Sequence, residues 1–138
     1  MADRDDVAGC QAEGDPIVLV VEDDPEINEL VGAYVRIAGF GYRQARNGQD
    51  ALREALHRPA LIVLDVMLPD LNGLEVCRRL KAQAITCDIP VMMLSAMDKD
   101  ELRETCRECG VVEYMTKPFD PDRLMAAIRD HAREQVAP

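Results

Sequence analysis

Three unbroken apolar runs constrain this chain more than anything else in it: Ile17-Val18-Leu19-Val20-Val21, Leu61-Ile62-Val63-Leu64 and Val91-Met92-Met93-Leu94. A strand with one face in water alternates polar and apolar residues, whereas a strand covered on both faces does not. Val111–Met115 adds a more mixed run and Tyr42–Ala45 a short polar one. Segments with helical spacing separate all five. Such alternation implies right-handed βαβ crossovers and a parallel sheet. The expected fold is α/β: a doubly wound five-stranded parallel sheet flanked by five helices (flavodoxin-like). Tyr42–Ala45 suits an edge, which favours strand order 2-1-3-4-5.

The helices carry their own punctuation. Asp24 as N-cap and Pro25 at the first helical position open the first. Ile27, Leu30, Val31, Tyr34 and Ile37/Ala38 give it one apolar stripe, and Gly39 stops it. Asn47-Gly48 turns the chain into a second helix with Ala51, Leu52, Ala55 and Leu56, ended by Pro59. A third runs from Leu74 to about Gln83, with Leu74, Cys77 and Leu80 inward and Arg78, Arg79 and Lys81 outward. Asp98 to Cys109, capped by Gly110, is a charged fourth. Asp120 and Pro121 start the fifth, which presents Leu124, Ala127, Ile128 and His131 on one face. His131 reads as a helix-end surface residue without a partner.

The 138 residues suit one domain. No apolar run approaches the roughly 20 residues of a membrane span, and the first residues lack the pattern of a signal peptide. The expectation is a soluble, cytoplasmic protein. The net charge of −10 disfavours direct nucleic-acid binding, which needs phosphate-neutralising cations. Residues 1–15 set five acidic side chains against Arg4 alone and read as a disordered acidic tail, leaving 16–135 as the domain. The five cysteines are odd in number and read as free thiols. Cys106-x-x-Cys109 lacks the further ligands of a structural zinc site, so two cysteines on one helix face are the favoured reading over zinc or redox chemistry.

The chemistry follows the strands. Glu22-Asp23-Asp24, Asp65, Ser95 and Lys117-Pro118 each directly follow an apolar run or lie a residue or two beyond it. In a parallel sheet all four meet at the C-terminal rim, where such folds bind ligands. Crowded carboxylates repel unless something offsets them. Hard divalent cations prefer oxygen, and Mg²⁺ commonly takes one or two carboxylates plus waters and phosphate oxygens. Glu22 and Asp23 could instead serve only the following helix dipole, and Asp24 reads as its cap. A carboxylate such as Asp65 can attack phosphorus to give an acyl phosphate. Lys117 offers a point charge and Ser95 a hydroxyl to phosphoryl oxygens. Phosphoryl transfer needs little beyond alignment and charge stabilisation.

The pieces VVEDDP, LIVLDVMLPDLNG, MLSA and YMTKPF, in this order, resemble a bacterial two-component response regulator receiver domain over roughly residues 16–135. The resemblance implies Asp65 as phosphoacceptor. It implies Mg²⁺ held by Asp23, by Glu22 through water, by Asp65 and by the backbone carbonyl of Met67. It implies Lys117 as the phosphate-contacting lysine with a cis bond to Pro118, Ser95 as the switch hydroxyl and Tyr114 as the switch aromatic. Phosphorylation would then reshape the face formed by the last helix, strand and helix. The implied partners are a sensor histidine kinase or phosphotransfer protein, a downstream target or fused output domain, and a second copy in a phosphorylation-dependent homodimer. Such a protein is not an enzyme beyond its own phosphorylation and dephosphorylation. Met67 and Met97 flank the site, and neither can orient an attacking water, which points to slow self-dephosphorylation.

Two other functions fit the fold. One is a phosphorylation-independent interaction module, which would not need every chemical position filled. The other is a small flavin-type cofactor protein, whose phosphate the acidic first loop would repel.

Overall fold

The computed structural model describes residues 16–136, with side chains through Ala132. The acidic stretch 1–15 and Cys10 lie outside the described residues. The chain runs β1 (Ile17–Val21), α1 (Pro25–Ile37), β2 (Gly41–Ala45), α2 (Gly48–Glu54), β3 (Leu61–Leu64), α3 (Gly73–Lys81), β4 (Val91–Ser95), α4 (Asp100–Glu108), β5 (Glu113–Thr116) and α5 (Pro121–Val136). All strand pairings are parallel, and the sheet order is β2-β1-β3-β4-β5. The polar strand is at an edge, as its composition requires. None of the described helices is long and apolar enough to cross a membrane.

Two cores explain the unbroken runs. Leu19, Val21, Ile62, Leu64, Val91 and Met93 point to one face, where Val76, Cys77 and Leu80 of α3 cover them. Val18, Val20, Leu61, Val63, Met92 and Leu94 point to the other, under Val31 and Val35 of α1 and Leu124 and Ile128 of α5. Each fully buried aliphatic side chain contributes about 1.5–3 kcal/mol relative to exposure. Both faces of the central strands are therefore fixed, and so is their register.

Several elements differ from their expected form. In α1, Leu30 and Ile37 are 47% and 64% exposed. The helix instead buries Asn28, Val31, Gly32 and Val35. Its inward face is rotated toward a small residue and a polar one, because the Tyr42 ring occupies the space over Gly32. α2 tightens into a 3₁₀ turn at Ala55–His57 and ends on Arg58 at φ 57, one residue before Pro59. α3 starts at Gly73, capped by the Asn72 side chain, and ends at Lys81. α4 starts at Asp100, since Lys99 before it has extended backbone with φ −121° and ψ 136°. β5 starts at Glu113 because the Val111 N–H closes the end of α4 on the Cys106 carbonyl. His131 does have a partner: its Nε2 lies 3.2 Å from the Glu113 carboxylate on β5. Cys77, Cys87, Cys106 and Cys109 are free thiols.

Gly73 shows how tightly the loop after β3 is held. A Cβ there would lie 2.3 Å from the Asp65 carbonyl oxygen and 2.9 Å from the Val66 Cα, both backbone atoms that cannot swing aside. Gly73→Ala is expected to cost about 1–3 kcal/mol, read as a lower urea midpoint with unchanged m-value.

Candidate functional site

Each site residue is positioned by the last rung of a ladder. Asp65 N–H donates to the Val21 carbonyl at 3.1 Å, one residue beyond β3. Glu22 N–H donates to the Ala45 carbonyl at 3.1 Å, one beyond β1. Lys117 N–H donates to the Ser95 carbonyl at 2.8 Å, one beyond β5. The strands thus deliver their first polar residues to one rim in a fixed stagger, and the Lys117–Pro118 peptide is cis.

The side chains converge as expected. Lys117 Nζ lies 2.5 Å from Glu22 Oε1 and 3.1 Å from Asp65 Oδ2. Asp65 Oδ1 accepts the Met67 N–H at 3.1 Å, and Glu22 Oε2 accepts the Asp24 N–H at 3.1 Å. Glu22 and Asp65 are buried at 5% and 7% exposure, while Asp23 is open to solvent. Glu22, Asp23 and Asp65 each place a carboxylate oxygen within 4.8 Å of the others. Asp24 caps α1 through the Glu26 and Ile27 amides, so it is spent as a cap.

Three clustered carboxylates share one ammonium, which contacts Glu22 and Asp65, so the cluster has more negative than positive groups. Burial therefore pushes the Glu22 carboxyl up to about 7, although Lys117 and the Asp24 amide pull it down. Burial alone would lower the Lys117 ammonium, but Glu22 and Asp65 outweigh it and raise it, so it stays charged. A divalent cation among these oxygens would cancel the surplus. The donor set is all hard oxygen and one member faces solvent, which fits a cation of the Mg²⁺ class.

Ser95 is fully buried, and its Oγ accepts the Met97 N–H at 3.1 Å. The Tyr114 hydroxyl donates to the Met97 carbonyl at 2.5 Å, and the Arg103 guanidinium lies 4.7 Å from its ring centre. Ser95 and Tyr114 thus grip the two sides of one residue. Met67, beside Asp65, is 63% exposed.

Two residues absent from the sequence reading support the rim. Asp70, in the loop after β3, accepts the Gly48 and Gln49 amides at 2.7 and 3.0 Å, which holds its carboxyl below the usual range. It ties the Met67 loop to the start of α2. Asn28 is buried under the acidic loop. The only sequence signal for either was a polar residue where the pattern did not demand one.

Residues 18–129 match the family described as response regulator receiver domain. The chain belongs to that family. The receiver is 38% identical over 115 residues to the DNA-binding dual master transcriptional regulator RpaA of Synechocystis sp., covering 83% of this chain and 48% of that protein. It is 38% identical over 113 residues to the phosphate regulon transcriptional regulatory protein PhoB of Pseudomonas aeruginosa, covering 81% and 49%. The receiver thus spans about half the length of these relatives. Among solved structures it resembles the BeF3-activated N-terminal receiver domain of Klebsiella pneumoniae RstA, with a TM-score of 0.78, 31% identity and coverage of 85% and 98%.

The raised Glu22 carboxyl has a consequence for stability. Without a divalent cation, Glu22 keeps its proton in the folded receiver between about pH 4.5 and 7, where the unfolded chain has released it. The contribution of Glu22 to stability is complete below the lower value and is lost as pH rises through the upper one. The stability of wild type relative to Glu22→Gln should fall by on the order of 2 kcal/mol across this window. Urea titrations at a series of pH values measure it, and a pH-independent difference refutes it.

Proposed function

We propose that this receiver is a phosphorylation-dependent signalling switch spanning residues 16–135, in which Asp65 takes a phosphoryl group from a phosphohistidine of a sensor kinase or phosphotransfer protein. The observation that carries this reading is the Lys117 ammonium bridging Glu22 and Asp65, with Asp23 alongside. An Asp65 carboxylate oxygen forms a bond to phosphorus, the phosphorus–nitrogen bond to the donor imidazole breaks, and the imidazole leaves with a proton from water. The product on the protein is a mixed anhydride of the Asp65 carboxyl.

The residues divide the work. Lys117 neutralises phosphoryl oxygens from its place 3.1 Å from Asp65 Oδ2. The Met67 N–H fixes the carboxylate plane of Asp65 through Oδ1. Asp23, Asp65, the Met67 carbonyl and Glu22 through water would hold Mg²⁺. When bound, Mg²⁺ supplies positive charge against the oxygens of the transferring group. Burial of Glu22, Asp65 and Ser95 lowers the local dielectric and strengthens each of these contacts.

Ser95 and Tyr114 turn phosphorylation into a shape change. The Ser95 hydroxyl accepts the Met97 N–H and keeps its own proton to donate to a phosphoryl oxygen, so a turn of the hydroxyl toward that oxygen is felt at Met97. Because Tyr114 holds the carbonyl of Met97, the segment after β4 and the face built by α4, β5 and α5 respond together. Reversing a 1:99 population needs about 5.5 kcal/mol of differential stabilisation. Charge-assisted contacts to Lys117 and a hydroxyl bond from Ser95 supply energies of that order. The output is a separate protein or a fused domain, in keeping with relatives named as transcriptional regulators.

Incubation with acetyl phosphate and Mg²⁺ should add one phosphoryl group by intact mass, and Asp65→Asn should gain none. Equal modification of that variant would refute the assignment to Asp65, and an unmodified wild type would favour a phosphorylation-independent module. The phosphorylated form should outlast seconds, because Met67 and Met97 have no group to orient an attacking water. Rapid-quench decay in seconds would overturn that expectation.

A further inference from the structure

Asn28 is a fully buried polar side chain outside the reactive cluster. Its Nδ2 lies 3.0 Å from the Glu22 carbonyl oxygen, 3.1 Å from that of Ala45 and 3.3 Å from that of Val20. All three partners are acceptors only, so the amide nitrogen must face them and Oδ1 must face away. On that far side the Tyr42 hydroxyl donates to Oδ1, and it also lies 3.2 Å from the Asn28 carbonyl. Burial pushes the Tyr42 hydroxyl up to about 12, so it remains a donor. The ring is itself held: a Cβ at Gly32 would meet it at 2.4 Å, and the Arg36 guanidinium lies 5.1 Å from its centre.

The three carbonyls sit where the β1–β2 ladder runs out. Val20 is within β1, Glu22 is one residue past it, and Ala45 closes β2. The Glu22 carbonyl is also the covalent link to Asp23. A loop without this anchor would have to order two mutually repelling carboxylates each time a cation arrived. Contacts that orient metal ligands from behind commonly govern 10–100-fold in affinity.

We propose that Asn28, oriented by Tyr42, is a positioning residue that presets the Glu22–Asp23 loop for cation binding and so sets the Mg²⁺ concentration at which Asp65 becomes phosphorylated. The proposal rests on the phosphoacceptor reading above. Neither side chain touches the cation or the phosphoryl group.

The test uses the full chain. Calorimetric titration with Mg²⁺ alone is paired with initial rates of phosphorylation by acetyl phosphate across a Mg²⁺ series. The variants are Asn28→Ala, Tyr42→Phe and, as a packing control on the same helix, Val35→Ala. Asn28→Ala should bind Mg²⁺ about 10-fold more weakly, and Tyr42→Phe more weakly by a smaller factor. Half-saturating Mg²⁺ should shift in step for both, while rates at saturating Mg²⁺ stay close to wild type. Val35→Ala should lose stability but keep its Mg²⁺ affinity. If Asn28→Ala binds as Val35→Ala does, or loses plateau rate with unchanged half-saturation, the proposal is overturned. Should Asn28→Ala not fold, unchanged affinity in Tyr42→Phe overturns it equally. A wild type that takes up no Mg²⁺ removes the phosphoacceptor reading together with this one, whereas a normal wild type beside unaffected variants removes only this one.

Discussion

The Lys117 ammonium between Glu22 and Asp65 is the contact on which the rest of the rim depends. Two buried carboxylates cannot share so small a space as ions without a counter-charge. Lys117 supplies one from the far side of the sheet, 52 residues beyond Asp65 and 95 beyond Glu22. It therefore joins the turn after β5 to the ends of β1 and β3. A buried pair of this kind is weak support for net stability, since desolvation offsets much of its attraction. Its value lies in geometry and in the charge deficit that it leaves open to a cation.

The two helical layers serve different halves of the chemistry. The layer of α1 and α5 backs the acidic loop through Asn28. The layer of α2, α3 and α4 backs the switch side, with Tyr114 and Met97 packed at its margin. The loop after β3 packs Val66, Leu68 and Leu71 into the second layer and is pinned by Asp70 to α2 and by Gly73 to its own backbone. α5 belongs both to the layer behind the acidic loop and to the face it forms with α4 and β5, so the two layers are linked through it.

Much of this was legible in the order of residues. Strands buried on both faces cannot hide their composition, so β1, β3 and β4 declared themselves, and the first polar residue after each was its chemistry. The alternation with helices then left little freedom in topology. What stayed hidden has a common cause. Asn28 looks like a solvent-side residue, because helical spacing counts only apolar side chains. Leu30 and Ile37 looked inward for the same reason, although Tyr42 had claimed the neighbouring face. Asp70 acts on amides more than twenty residues earlier, and His131 on Glu113 of another element. Side-chain contacts between distant segments leave no local period to read.

Glu22, Asp65 and Lys117 each stand one residue past the end of a strand. Successive strand residues advance about 3.3 Å and point to opposite faces. Losing a single residue from β3 would therefore both withdraw Asp65 from its neighbours and turn it into the wrong layer. The opposite rim carries none of these groups, so a loop there can change length without moving them. Length changes in this molecule are tolerable on one side of the sheet and ruinous on the other, so the fold is a ruler read from only one end.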